Sequence, residues 1–457
     1  MAAEQSLSEA FSKLTNWIQP NMERFAIPGV ALGVLSGDQE FTAVYGVTSL
    51  ENPLSITLET LFQVGSITKT FTGTAVMRLV EKRKLHLDKP VRYYIPELKL
   101  ADEAVAQRVT LRHLLTHTAG WAGDYFNDFG PGDEALSKIV ARLADLPQLT
   151  PLGEVWSYNN AGFYLAGRLI EVVTGLTYEN ALQEIILTPL GMEHTFFFAD
   201  DVISHRFAVG HAQEDGKAYV ARPWAVGRAI NPIGGMITNL LDLFRYARFQ
   251  MGDGITQNGV RLLRPETIAE MHAPLVHASG IRSFGLSWGV IDIDGYRLIS
   301  HGGGTKGQVS FLGISPAQRF ALVVLTNGEA GDTITSNVWK DALKLFLNLK
   351  IPKAQPVHVS PEKLVEYVGQ YDSLAEILEL KVDESSLVLH TYNQGGFPTP
   401  NTPPMPDPQP VKVALCENDS LVVLDEPMQG DQGEFLRGKT GEIEWLRLGG
   451  RVHRKVT

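Results

Sequence analysis

Cysteine is nearly absent: Cys416 is the only one in 457 residues. One thiol cannot close an intrachain disulfide, nor can it furnish a cysteine-based zinc finger or an iron–sulfur cluster. Its simplest role is that of a small buried hydrophobe. No run of about 18 apolar residues occurs, so no membrane-spanning helix is expected. Basic charge is also in deficit, with 40 Lys and Arg against 51 Asp and Glu, a net charge of −11. An acidic surface argues against a nucleic-acid partner, which needs a basic face for phosphates. The opening Met1-Ala2-Ala3-Glu4-Gln5 has neither a basic leader nor an apolar core. No signal peptide is therefore expected there, and a cytoplasmic location is the simplest expectation. No short-period repeat is visible.

What is present reads as an ordinary globular chain, 44% hydrophobic and 20% charged, long enough for more than one domain. Leu7, Phe11, Leu14, Ile18 and Met22 recur at helical spacing, predicting a helix over 5–24. Strands are expected over 29–35 and 41–47, joined by Ser36-Gly37-Asp38. A helix is expected from Ser66 to about Lys82, and residues 85–230 read as mostly helical. Period-two patterns return at 284–290, 296–300, 308–314 and 320–325, with an Asp294-Gly295 turn between the first two. A helix over 334–348 closes this unit.

The expected fold class is therefore α+β. One antiparallel sheet is built from both ends of residues 1–352, flanked by terminal helices and carrying an all-helical insert. Beyond Pro352 the character changes. Residues 355–457 hold 16 acidic and 9 basic side chains, most of the excess negative charge. Short strands are expected at 376–382, 386–392, 411–415, 421–424, 434–437 and 443–448, a small β-barrel or sandwich over 353–457. Phe397–Pro410, with seven prolines, reads as an extended loop long enough to reach across a neighbouring cleft.

Three segments carry chemistry. Val64-Gly65-Ser66-Ile67-Thr68-Lys69-Thr70 stands at a helix start. It sets Lys69 one turn after Ser66 on the same face, an amine beside a hydroxyl. The helix end favours negative charge on the serine oxygen, and the Ser66 backbone N–H can serve an oxyanion. A desolvated lysine there loses its proton and becomes a base. Taken alone, Ser-x-x-Lys is common and usually marks a solvated helix face. In Trp156-Ser157-Tyr158-Asn159-Asn160-Ala161-Gly162, Tyr158 and Asn160 lie two apart and can face one cleft. A phenol beside a lysine ammonium has a lowered pKa and can relay protons. The plainer reading is a loop tyrosine and an asparagine helix cap. In His301-Gly302-Gly303-Gly304-Thr305-Lys306-Gly307, three glycines let the backbone approach a ligand closely. His301 could hold a carboxylate or move protons. The segment is no phosphate-binding loop, since the glycine–lysine–serine/threonine ending is missing. His113 and His117, four apart, have metal-ligating spacing on a helix, but no acidic third ligand stands nearby. No metal and no cofactor are expected.

In this order and spacing, the segments resemble the serine beta-lactamase and penicillin-binding-protein superfamily, nearest the class C enzymes. Leu111–Gly120, Pro189-Leu190-Gly191-Met192 and Gly234-Gly235-Met236 support the likeness, which covers about residues 10–350. The resemblance implies Ser66 as the acylated nucleophile and Lys69 and Tyr158 as general bases. It implies His301 as a further catalytic residue, Asn160 as a substrate-orienting amide, and the Ser66 and Gly304 N–H groups as the oxyanion hole. True beta-lactamases usually carry Lys-Thr-Gly where this chain has His301-Gly302-Gly303. His-x-Gly is typical of related esterases, D-amino-acid peptidases and cyclising acyl enzymes. Strong beta-lactamase activity is accordingly not expected. The class A deacylating glutamate has no counterpart here. Tyr367–Tyr371, Gly433-Glu434-Phe435 and Leu446–Arg454 resemble the lipocalin-like domain of some of these peptidases, where it can border the active site or support homo-oligomers. The expected partner is a peptide or other small-molecule substrate. A hydrolase, a peptide cyclase or transpeptidase, and a penicillin-binding sensor without turnover all fit this reading.

Overall fold

The computed structural model describes residues 2–383, 386–396, 401–404, 406–426 and 428–456. The chain opens with helices α1 (Ala2–Thr15) and α2 (Ile18–Arg24) rather than one helix over 5–24. Pro20 accounts for the break. It cannot donate to the carbonyl four residues back, and its ring crowds that carbonyl, which belongs to Asn16. Strands β1 (Gly29–Ser36) and β2 (Gln39–Gly46) follow.

The later strands are β3 (Val276–Ser279), β4 (Arg282–Phe284), β5 (Gly289–Ile293), β6 (Tyr296–Thr305), β7 (Gln308–Ser315) and β8 (Phe320–Thr326). They join the first two in one antiparallel sheet ordered β2-β1-β8-β7-β6-β5-β4-β3. Both chain ends thus meet at its centre, where β1 pairs with β8. Every residue of β8 is buried, because both faces of the sheet are covered. One face packs on α1, α2 and the closing helix Gly331–Leu347, through Leu14, Ile18, Val338 and Trp339. The other packs on the helical insert, which carries helix α3 (Thr68–Glu81) and helix α4 (Asn160–Thr174). The insert also holds one hairpin, His211–Glu214 with Lys217–Val220.

Two strand expectations need correction. The run over 284–290 is interrupted between Phe284 and Gly289, where Ser287 takes a φ of 69° and donates its N–H to Leu115 O. The strand expected over 296–300 continues to Thr305, straight through the glycine run. The Asp294-Gly295 turn is present, with φ of 51° and 80°, the left-handed pair that a two-residue hairpin requires.

α3 contains four β-branched threonines, poor helix formers. All four satisfy their hydroxyls locally: Thr68 donates to Gly65 O, Thr70 to Ile67 O, Thr72 to Thr68 O and Thr74 to Thr70 O. The helix is almost wholly buried, so packing rather than propensity holds it.

Residues after the catalytic-type unit form a closed eight-stranded barrel in sequence order: β9 (Gly369–Asp372), β10 (Glu376–Asp383), β11 (Ser386–Asn393), β12 (Val411–Leu415), β13 (Ser420–Val423), β14 (Gln432–Arg437), β15 (Ile443–Leu448) and β16 (Arg451–Lys455). β16 returns to β9 through the Tyr371–Lys455 and Asp372–Arg454 pairs. Its interior, around Tyr371, Leu380, Leu421 and Leu446, is separate from the cores of the larger unit. Six of the strands match the sequence pattern; β9 and β16 were not expected. The expected proline-rich loop falls partly on residues 397–400 and 405, outside the described residues; 401–404 and 406–410 form neither helix nor strand. Cys416 is half-buried rather than buried, and burial pushes its thiol pKa up. No described helix is long and apolar enough to cross a membrane.

Candidate active site

Ser66 lies in a tight 3-10 turn, Gly65–Ile67, that feeds α3. The α-helix therefore starts at Thr68, two residues later than expected. Gly65 has a φ of 50°, and a Cβ there would stand 2.6 Å from both N and O of Gly304. At Gly303 a Cβ would stand 2.0 Å from Val64 O and 2.9 Å from Ser66 N. The serine turn and β6 thus touch backbone to backbone, which is what brings the Ser66 and Gly304 segments together and why glycine is needed at the contact.

Lys69 is fully buried. Its Nζ lies 3.0 Å from Ser66 Oγ and 2.6 Å from Ile233 O. Burial drives its pKa well below the usual lysine value; Arg451 pushes the same way and Asp124 opposes. A neutral amine here gives one N–H to Ile233 O and leaves its lone pair for the Ser66 hydroxyl.

Tyr158 sits in the loop before α4, its ring 5.1 Å from Lys69 Nζ. The hydroxyl oxygen is enclosed, and Ser66 is its polar neighbour, though not at full hydrogen-bond geometry. Burial raises its pKa well above 10, only partly offset by Ser66 and Arg451. This reverses the lowered value expected from sequence. Desolvation of the phenolate outweighs the help of the neighbouring groups.

His301 is buried on β6, its ring 6.0 Å from that of Tyr158. Its Nδ1 is 2.6 Å from Gly302 O. A carbonyl only accepts, so Nδ1 bears the proton and Nε2 presents a lone pair, enclosed and unpartnered among the described residues. Burial, aided by Lys69, pulls the pKa down to about 3. A neutral imidazole offers no charge to a carboxylate, which corrects the carboxylate-holding role considered from sequence.

Asn160 opens α4, but its cap is Asn159, whose Oδ1 accepts from Gly162 N at 2.7 Å. Asn160 Nδ2 donates to Asp124 Oδ1 at 2.6 Å. Asp124 also receives Arg451 Nε at 2.7 Å, and is held below the usual carboxylate range by Arg451 and Asn160 against its burial.

Arg451 comes from the barrel. The turn Gly449-Gly450, with φ of 57° and 78°, carries β15 into β16 and seats on the Tyr158 loop. Gly450 O accepts from Tyr158 N at 2.8 Å, Val452 N donates to Ser157 Oγ at 3.1 Å, and Arg447 donates to Trp156 O at 3.1 Å. The Arg451 guanidinium stands 5.0 Å from the Tyr158 ring centre. This hairpin is thus an arm of the barrel that reaches the cleft. Asp124 and Ile233 O went unrecognised in the sequence. Arg451 lay within the singled-out Leu446–Arg454, and His117 within Leu111–Gly120, where it was weighed only as a metal ligand.

His113 and His117 do not form a ligand pair. The helix carrying His113 ends at Leu115, and His117 turns inward with a φ of 55°. His113 Nδ1 faces Thr110, while His117 Nδ1 receives the Asn159 N–H at 2.9 Å.

Residues 14–343 match the family described as Beta-lactamase. Penicillin-binding protein 4 of Amycolatopsis lactamdurans is 31% identical over 355 residues, 76% of this chain and 93% of that protein. Among solved structures, SurE superposes with a TM-score of 0.74 at 23% identity, covering 100% of both chains, barrel included. The D-alanine carboxypeptidase AmpC from Burkholderia cenocepacia gives a TM-score of 0.62 at 23% identity, covering 75% of this chain and 99% of that one. With its antiparallel sheet, helical insert and family match over most of the length, the chain belongs to the beta-lactamase family of serine hydrolases.

Proposed function

We propose that Ser66 forms an acyl-enzyme with peptides containing D-amino acids or with small esters. The observation that carries this reading is a buried, neutral Lys69 with its Nζ 3.0 Å from the Ser66 hydroxyl. Lys69 takes the Ser66 proton as Oγ bonds to the carbonyl carbon. The Ser66 and Gly304 N–H groups hold the oxyanion. Tyr158, which keeps its proton in the resting site, gives it to the leaving amine or alcohol as the C–N or C–O bond breaks, and recovers one from the Lys69 ammonium. Asn160, steadied by Asp124, orients the substrate amide. Water then takes the acyl group by the reverse proton path. Kinship in fold to a D-alanine carboxypeptidase supports the D-peptide choice.

Transfer to an amine, as in a cyclase or transpeptidase, is the second reading. The unpartnered His301 Nε2 lone pair, on a ring beside Tyr158, favours it as an acceptor for an amine N–H. The test is a fluorophosphonate label mapped by mass spectrometry, followed by D- and L-terminal peptides with detection of linear and cyclic products. Label on Ser66, lost in Ser66→Ala with the fold retained, is expected. Label elsewhere, or an active Ser66→Ala protein, overturns the assignment. A single stoichiometric burst without turnover on any substrate would leave only a penicillin-binding sensor.

A further inference from the structure

We propose that His117 is the positioning residue for Tyr158, clamping the loop on both sides of it. The inference rests on the reading that Ser66, Lys69 and Tyr158 carry out acylation. His117 O accepts the Ser157 N–H at 3.0 Å, and His117 Nδ1 accepts the Asn159 N–H at 2.9 Å. The two residues flanking the tyrosine are therefore tied to one residue. The imidazole also lies against the phenol ring, centroids 4.5 Å apart and planes at 31°. Phe163 at 5.1 Å and Phe284 at 4.8 Å pack the same imidazole and leave it no room to swing.

The backbone singles this residue out. A φ of 55° suits glycine or asparagine and strains histidine. A position that merely turned the chain would be better served by either. The side chain compensates by what it holds. Nδ1 lies 2.9 Å from Asn159 N and 3.2 Å from Asn159 O; the shorter contact is to an amide N–H, which can only donate, and it assigns the lone pair to Nδ1 and the proton to Nε2. The charged and titratable groups around it favour that neutral form. Burial lowers its pKa well below the usual histidine value, and the Arg451 charge adds to the effect, while its contact with Asn159 opposes them. The clamp thus stays intact across the working pH range, and the phenol keeps its place beside Ser66 and Lys69.

Three variants separate the clamp from mere filling. H117N and H117G both accept the left-handed backbone; Asn keeps an acceptor where Nδ1 stands, and Gly keeps none. H117Q carries its carbonyl one bond farther out and misses the Asn159 N–H. Burst-phase acylation by p-nitrophenyl acetate is followed across pH, with circular dichroism as the fold control. In H117G the acylation rate should fall about 100-fold, the scale of losing a well-placed proton carrier. Its pH profile should be altered, with KM little changed. H117N should recover most of the loss and H117Q should not. A folded H117G with the rate and pH profile of the unaltered protein overturns the proposal. So does H117N as slow as H117Q, a comparison that decides alone if H117G does not fold. Y158F is the control on the underlying reading. If Y158F acylates as fast as the unaltered protein, the role of Tyr158 fails, whatever His117 does.

Discussion

In the proposed mechanism Lys69 works by being uncharged, a state that its burial favours. An ammonium enclosed by Phe163, Tyr158 and the backbone around Ile233 lacks the water that would stabilise it. Because the folded pKa is depressed, the acylation rate should rise with pH through a value well below lysine's ordinary range and then level. Lys69→Arg sharpens the point. Guanidinium keeps the positive charge but does not lose its proton near neutral pH. It should abolish the burst, lowering acylation about 100-fold or more, the usual span for losing a general base. A Lys69→Arg protein with a normal burst at pH 7 would show that no deprotonated amine is used. At this scale the sequence was readable where partners are near neighbours. Ser66 and Lys69 are three apart, and one helical turn predicts their contact. The sign of the Tyr158 shift was not readable, because it depends on how much water the folded site excludes. His117 and Asp124 escaped because their partners, Asn159 and Arg451, lie far along the chain.

Among the elements, β6 is where pattern and structure part. Three glycines in a row weaken any strand signal, so the strand was expected to end at Ser300. The ladder nevertheless continues, pairing Gly302 with Phe311, Gly303 with Ser310 and Gly304 with Val309. The glycines serve the side where the serine turn lies, and they are not equivalent. A Cβ at Gly303 would collide with Val64 O at 2.0 Å, a backbone atom that cannot yield without moving the nucleophile. A Cβ at Gly302 would have Ser310 O as its neighbour at 3.8 Å, an ordinary contact, and one at Gly304 meets nothing within 4 Å. Gly303→Ala should therefore cost about 3 kcal/mol or more in urea unfolding, at the severe end of single substitutions. Gly302→Ala should stay within about 0.5 kcal/mol, as substitutions away from special features do. Equal effects at the two positions would refute the close approach of the serine turn. The N-terminal helix teaches the complementary lesson. Its apolar spacing continues unbroken from Leu7 to Met22, and periodicity is blind to the single Pro20 that splits it.

At the scale of the whole molecule, the question is what the barrel does for the site. All three chemistry-bearing segments precede Pro352, which by itself would leave the tail dispensable for the chemistry. The contacts argue otherwise. The β15–β16 hairpin bonds to Trp156, Ser157 and Tyr158, and Arg451 neutralises Asp124 beside the amide of Asn160. Removing the tail would also uncover the apolar cluster of Trp156, Ala278 and Phe284, so a truncated chain mixes several effects. A point substitution is cleaner. Arg451 lowers the Lys69 pKa and Asp124 raises it, so the two oppose each other at the amine, Arg451 having the larger effect. Arg451→Gln leaves a buried carboxylate unopposed. The Lys69 pKa must then rise, the neutral base becomes rarer at a given pH, and the rising limb of the acylation profile should move to higher pH. Asp124→Asn removes the opposing influence and should move the limb to lower pH. The double variant should return it towards its starting position, though with a slower plateau, because Asn160 and Tyr158 lose their support. Burst kinetics from pH 5 to pH 10 would read all three, and the coupling between the two sites follows from the cycle. If Arg451→Gln leaves the limb where it was, the barrel's charge does not reach the base. The hairpin would then act on the site through its backbone contacts alone.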